Sequence, residues 1–178
     1  MRAREEERYV RFVQERHASL YRTAFLLTGN HHTAEDVVQS TLVKVYASWS
    51  RVRRAERPVA YVHRMLANEV ATLNRRRAAG EVPTGHLQDL PGARWQVGPE
   101  DRVVDAQVVW QALGALSQRQ RAVVVLRYYA DLSEAEIADT LGIATGTVKA
   151  HAHAALAALG TTIGAADPLS VDRVEEVT

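Results

Sequence analysis

Cysteine is missing from all 178 residues, which removes disulfide frameworks, thiolate metal sites and cysteine nucleophiles together and fits a reducing compartment. No apolar run approaches the length that spans a bilayer, and the charged start MRAREEERYVRF lacks the apolar stretch of a signal peptide. A cytoplasmic protein without membrane insertion is expected. No strand alternation is visible, so helices are the only periodic signal. No HExxH is present. His151 and His153 are spaced i, i+2 and so point to different faces of a helix, while the adjacent His31-His32 makes a weak ligand pair. A metal-dependent enzyme built on His31, His32, His63, His86, His151 and His153 is therefore the minor reading. No catalytic residue, metal site or cofactor is expected.

What is present has the balance of a folding, globular chain: 47% apolar and 24% charged residues. The net charge of +1 hides an asymmetry. Up to Gly80 there are 15 Lys and Arg against 8 Asp and Glu, a surplus of +7; the remainder holds 7 against 13, or −6. Such a split favours a polyanionic partner for the first half, although solvated helix faces account for most charge runs.

Along the chain, Val10, Val13, Leu20, Tyr21, Ala24 and Phe25 lay one stripe on a first helix that stops at Thr28-Gly29-Asn30. Thr33 reads as an N-cap with Asp36 three residues on, a capping-box arrangement opening a second helix. In it Val37, Val38, Thr41, Leu42, Val45, Tyr46 and Trp49 recur at helical intervals, while Asp36, Gln39, Ser40 and Lys44 occupy the other side. Ser50 to Arg57 (SRVRRAER) has no apolar period and reads as a basic connector. Pro58 fits the first position of a third helix burying Tyr61, Val62, Met65, Leu66, Val70 and Leu73, whose far end is the bare charge of Asn74-Arg75-Arg76-Arg77.

From Ala78 to Glu100 the composition turns to Gly, Pro and polar residues, the signature of a linker. Val103, Val104, Trp110, Leu113 and Leu116 then suggest another helix. Ser117 with Gln120 forms a capping box before a helix through Val123, Val124, Leu126 and Tyr128, and Ser133 with Glu136 forms one more. The short helix EAEIADTL ends at Gly142 as at a C-cap glycine. Thr145 caps a last helix to about Leu159. A short helix, a glycine turn and a second helix make a helix-turn-helix signature.

Three blocks, AEDVVQSTLVKVYASW, RPVAYVHRMLANEVATLNRRR and, beyond the linker, LSQRQRAVVVLRYYADLSEAEIADTLGIATGTVKA, together resemble the extracytoplasmic-function sigma factors of the sigma-70 superfamily, and within them an actinobacterial sigma-E-like group. The resemblance covers roughly Phe12 to Leu159. It implies an RNA polymerase sigma factor, not an enzyme, directing promoter recognition and transcription initiation. The organisation read from the chain is all-α: residues 1–80 as a first domain that grips core polymerase and handles the downstream promoter element, 81–99 as a flexible linker, 100–160 as a four-helix module with the helix-turn-helix for the upstream element, and 161–178 as an acidic tail.

By resemblance Glu35, Asp36, Gln39 and Lys44 would meet the clamp helices of the largest polymerase subunit. On spacing alone Glu35 and Asp36 are first-turn acids that suit the helix dipole. By resemblance the downstream element would be handled by Arg51, Arg53, Arg54, Arg57, Tyr61, Arg64, Asn68, Arg75, Arg76 and Arg77, Asn68 matching a recurrent polar position of the family; melted strands need cations for phosphates and rings for bases. The family's loop here, roughly Ser50 to Arg57, captures a flipped base. Tyr61 and Trp49 could supply rings, yet their helical spacing equally suits core packing.

In the last helix Val148, Leu156 and Leu159 are expected inward, leaving Thr145, Thr147, Lys149, Ala150, His151 and His153 toward solvent or DNA. Family members typically carry Arg at some of the positions held by His151, His153 and Ala154. The segment 101–160 has 5 basic against 6 acidic residues, a net of −1, a poor footprint for DNA. Arg119, Arg121 and Arg127 would have to help. Two alternatives therefore stand beside a sigma factor: a stand-alone helix-turn-helix regulator, and a sigma-like protein without promoter activity. Partners implied are core RNA polymerase, promoter DNA and, as for many members of the group, an anti-sigma protein, although no residue here demonstrates the last. The free chain is expected to be a monomer.

Overall fold

The computed structural model describes residues 3–80 and 112–165. The proposed linker, the helix expected through Val103, Val104 and Trp110, His86 and the tail beyond residue 165 lie outside them. Among the described residues no strand occurs, and no helix is long and apolar enough to cross a membrane.

Helix α1, Ala3–Thr28, has Glu5 and Glu6 in its first turn, where negative charge favours the helix dipole, and buries Leu20, Ala24, Phe25 and Leu27 at helical spacing. It stops because Gly29 adopts φ 69°, a left-handed conformation that glycine enters freely, and its N–H closes on the Phe25 carbonyl at 2.7 Å. Val10, expected on the buried stripe, is 45% exposed.

Helix α2, His31–Ala47, begins earlier than expected. Its N-cap is Asn30, in extended conformation, whose side-chain oxygen accepts from the Thr33 N–H at 2.9 Å. Thr33 is thus inside the helix. Asparagine is at least as strong an N-cap as threonine, and here it takes the role expected of Thr33. Glu35 and Asp36 move out of the first turn, which weakens the dipole explanation for their presence. Ala34, Val37, Val38, Thr41, Leu42 and Val45 are buried.

The basic connector is in part a helix: α3, Trp49–Arg54. Trp49 and Val52, three residues apart, are both buried and pin this short helix to the core, which a window with so many arginines concealed. Helix α4, Pro58–Ala78, has Pro58 in its first turn as expected and buries Val62, Leu66 and Val70 together with His63, which no apolar pattern could announce. Tyr61, Met65 and Leu73 are only partly buried.

The second group opens on helical residues 112–115 and continues in α5, Gln118–Val124, capped by the reciprocal Ser117–Gln120 box. A single π-turn, Val125–Tyr129, follows. Its wider turn rotates the residues behind it, so that Tyr128, expected inward, is 58% exposed. Asp131 then takes φ 54°, a left-handed position that Asp tolerates better than most residues. Helix α6, Glu134–Leu141, carries the expected Ser133–Glu136 capping box and ends at Gly142, φ 64°. Helix α7, Thr145–Ala165, runs past Leu159. Its buried residues are Val148, Ala152 and Ala155, with Leu159 partly buried. Leu156 was expected inward and is 47% exposed, because positions 148, 152, 155 and 159 make a straighter stripe than one through 156.

Helices α6 and α7 form the helix-turn-helix. The two groups are not apart: α4 packs against α6, and α1 against α5 and the π-turn.

Candidate functional site

The outer side of α2 is built by default. Once six residues of the helix are buried, Glu35, Asp36 and Gln39 are left in solvent. Among the described residues they engage no ion pair or hydrogen bond partner. Lys44 lies at the edge of this side and donates to Glu69 of α4, an exposed pair. Two apolar side chains that sequence reasoning had placed elsewhere or passed over share the surface: Val43, 68% exposed, and Tyr46, 44% exposed. With Tyr9, Val10, Val13, Gln14, Gln39 and Leu42 they line an open groove of about 450 Å³ between α1 and α2. Tyr9 is fixed there by donating to the Leu42 carbonyl at 3.0 Å, and burial raises its phenol above the ordinary value, helped by neighbouring Tyr46. An exposed valine and tyrosine beside polar residues is the signal that could have found the groove.

On α4, Tyr61, Arg64, Asn68, Thr72 and Arg75 recur at three- and four-residue steps and therefore form one stripe. Asn68 and Arg75 are exposed, Tyr61 and Arg64 half-buried. Arg75 donates to Thr72 Oγ1 at 3.0 Å, so it is held along the helix. Arg51, Arg53 and Arg54 are exposed on α3, Arg53 reaching Glu5 at 3.3 Å. Arg76 is also exposed. Arg77 stands apart: it is half-buried and donates to Thr33 Oγ1 at 3.2 Å, tying α4 to the start of α2. Trp49 is not available as a stacking surface. It is 6% exposed and packs edge-on against Tyr9 (5.6 Å) and obliquely against Phe12 (5.4 Å), so it belongs to the core.

Arg57, just before α4, reaches toward the second group. Its guanidinium donates to the Asp131 carboxylate and to the Asp131 carbonyl, each at 2.5 Å, and lies 3.8 Å from Glu136. The Glu136 carboxyl is held below the usual range chiefly by the Ser133 backbone N–H, with the charges of Arg57 and Arg64 adding to this.

In the helix-turn-helix, Thr145, Thr147, Lys149, Ala150 and His153 are exposed and His151 is half-buried. Glu134, in the first turn of α6, holds two cations: Arg127 at 2.8 Å and Lys149 at 3.6 Å. Arg119 is exposed and Arg121 half-buried. Arg127 also lies 5.6 Å over the Tyr128 ring. Among the described residues no three His, Asp, Glu or Cys side chains gather as a metal site. His31 instead stacks on Phe25 at 4.3 Å and hydrogen bonds Tyr21 at 2.5 Å.

The chain that carries this helix face, arginine stripe and helix-turn-helix is similar to known proteins. Residues 12–80 match the family model "Sigma-70 region 2" and residues 106–159 match "Sigma-70, region 4". The RNA polymerase sigma-E factor of Streptomyces coelicolor is 33% identical over 163 residues, 92% of this chain and 88% of that protein. This chain belongs to the sigma-70 family of RNA polymerase sigma factors. The ECF RNA polymerase sigma factor SigL of Mycobacterium tuberculosis is 35% identical over 162 residues, covering 89% of the chain and 90% of the relative. Among solved structures, the sigma factor RpoE from Bartonella quintana, in complex with the anti-sigma factor NepR, aligns with a TM-score of 0.65 at 27% identity, over 91% of this chain and 98% of that one.

As a sigma factor the chain directs promoter recognition and transcription initiation, binds core RNA polymerase and promoter DNA, and is not an enzyme. The two matched regions fall on the helices described: region 2 ends at Gly80, two residues after α4, and region 4 contains α5, α6 and the recognition helix α7 up to Leu159.

Proposed function

We propose that this sigma factor docks on the clamp helices of the largest polymerase subunit through Glu35, Asp36 and Gln39, with Lys44 at the margin and the Val43–Tyr46 groove beside them. The arginines of α3 and the α4 stripe, with Arg57, Tyr61, Arg64, Asn68, Arg75, Arg76 and Arg77, hold the melted downstream element. Thr145, Thr147, Lys149, His151 and His153, with Arg119 and Arg121, face the upstream element. Residues 1–80 and 100–160 act as the two modules, in the cytoplasm, and the free chain is a monomer. The neighbour's complex with an anti-sigma factor supports a regulator of that kind here.

The observation that carries this is the face of α2. Exposed Glu35, Asp36 and Gln39 form no hydrogen bond or ion pair with another described residue, on a helix whose opposite side is core, so no polar contact of the fold depends on them. Replacing Asp36 and Gln39 by Ala is expected to weaken binding to core polymerase about tenfold or more while circular dichroism shows unchanged helicity. A double variant that binds core normally overturns the assignment. The recognition helix is weak in fixed charge, since Lys149 is partly neutralised by Glu134, so upstream contact relies on being tethered to the polymerase at high effective concentration.

A further inference from the structure

We infer that the recognition helix α7 reads the upstream promoter element through thymine methyl groups and not through guanine, with Thr147 and Ala150 as the residues that set this preference. The inference rests on the reading above that α7 faces that element.

Burial of Val148, Ala152 and Ala155 fixes which side of α7 is turned toward its own domain. The helical period then sets Thr147, Ala150 and Ala154, spaced i, i+3 and i+7, along one line of the other side, and all three are exposed. Thr147 and Ala150 fall in the first two turns, the part of a recognition helix that meets base edges. Thr23, Thr28, Thr41 and Thr140 turn their hydroxyls back to the carbonyl four residues earlier. Thr147 has no helical carbonyl at that distance, because residue 143 precedes the helix, and its hydroxyl engages no other described residue. Its methyl and its hydroxyl both remain available to a groove.

Guanine is selected by donors aimed at O6 and N7, which Arg or Lys supplies. Lys149 is the only Lys or Arg from Tyr128 to Ala165. It stands on the flank of α7 away from Thr147, and Glu134 draws it, at 3.6 Å, toward the first turn of α6. In a helix-turn-helix the first helix crosses the sugar-phosphate backbone, so Lys149 is held where phosphates run and not over the bases. His153 follows Lys149 by one turn on that flank, and a single ring nitrogen cannot aim paired donors at one base. What α7 offers the bases is therefore two methyls and one hydroxyl. Thymine alone among the four bases carries a methyl in the major groove, and contact between methyls removes apolar surface from water.

The test reconstitutes core polymerase with the full chain and offers it a promoter library randomised at the upstream element. Bound promoters are sequenced for the natural chain and for Ala150→Arg. The positions at which the two selections differ are those that α7 faces. There the natural chain is expected to select A·T pairs, and Ala150→Arg to select guanine. Deoxyuridine then replaces thymidine at those positions, which removes only the methyl. Binding of the reconstituted polymerase is expected to weaken about threefold to fivefold per methyl. Thr147→Ser, which keeps the hydroxyl, is expected to lose as much on the thymine promoter and little more on the uracil one at one of these positions, since a single contact cannot be lost twice. A guanine preference of the natural chain at those positions, equal binding to thymine and uracil promoters, or fully additive losses for Thr147→Ser overturn the inference and leave α7 as the upstream reader. Two selections that do not differ overturn that reading, and the inference with it.

Discussion

His63 gives the sharpest physical test of this fold. Its ring is 2% exposed where α4 packs on α1, with Nδ1 3.2 Å from Thr23 Oγ1, and burial, assisted by the positive charge of Arg16, holds its pKa down to about 4 from 6.5. The sign follows directly. Above pH 6.5 the histidine is neutral in folded and unfolded chains alike, so its burial carries no ionisation penalty. As the pH falls from 6.5 toward 4, the unfolded chain takes up a proton that the folded one refuses, and stability is lost. Integrating between those two values gives a loss of about 2 kcal/mol at pH 5 and about 3 kcal/mol once the pH is below 4. Urea unfolding of the full chain at pH 7 and pH 5 measures the total change. His63→Gln keeps a hydrogen-bonding partner for Thr23 but does not titrate, so its loss over the same interval should be smaller by about 2 kcal/mol. An equal loss in both proteins, or an NMR titration placing His63 near 6.5, refutes the reasoning.

Core and surface leucines should separate cleanly: Leu66→Ala, at a fully buried site, is expected to cost about 2–5 kcal/mol, whereas Leu156→Ala, at an exposed one, should change the unfolding midpoint little. Asn30→Ala removes the cap of α2 and is expected to cost about 1 kcal/mol, while Thr33→Ala, which leaves that cap in place, should cost less in the same denaturation assay. Glu134→Gln frees Lys149 and Arg127, so reconstituted polymerase should hold duplex promoter DNA more tightly and with a steeper dependence on salt; unchanged binding would show that these ion pairs do not limit the upstream contact.

The helices, their faces and most of their ends were legible from the sequence because they are settled within a few residues. The Ser117–Gln120 and Ser133–Glu136 boxes, Pro58 at the start of α4 and the left-handed Gly142 are local arrangements that write themselves into the chain. The same locality made the buried side of α2 predictable, and with it the free side carrying Asp36 and Gln39. Where a local signal was duplicated or hidden, tertiary context decided. Asn30 displaced Thr33 as cap, Val52 and Trp49 folded an arginine-rich connector into α3, and the π-turn swung Tyr128 outward.

What no periodicity could supply were the long-range pairings: His63 against Thr23, Trp49 against Tyr9 and Phe12, Arg57 against Asp131. Composition and spacing fixed which residues were available for such contacts. Which of them met depended on how helices distant in sequence pack, since a side chain's solvation, and therefore its charge and its freedom to bind, is set by neighbours that only the assembled fold brings within reach.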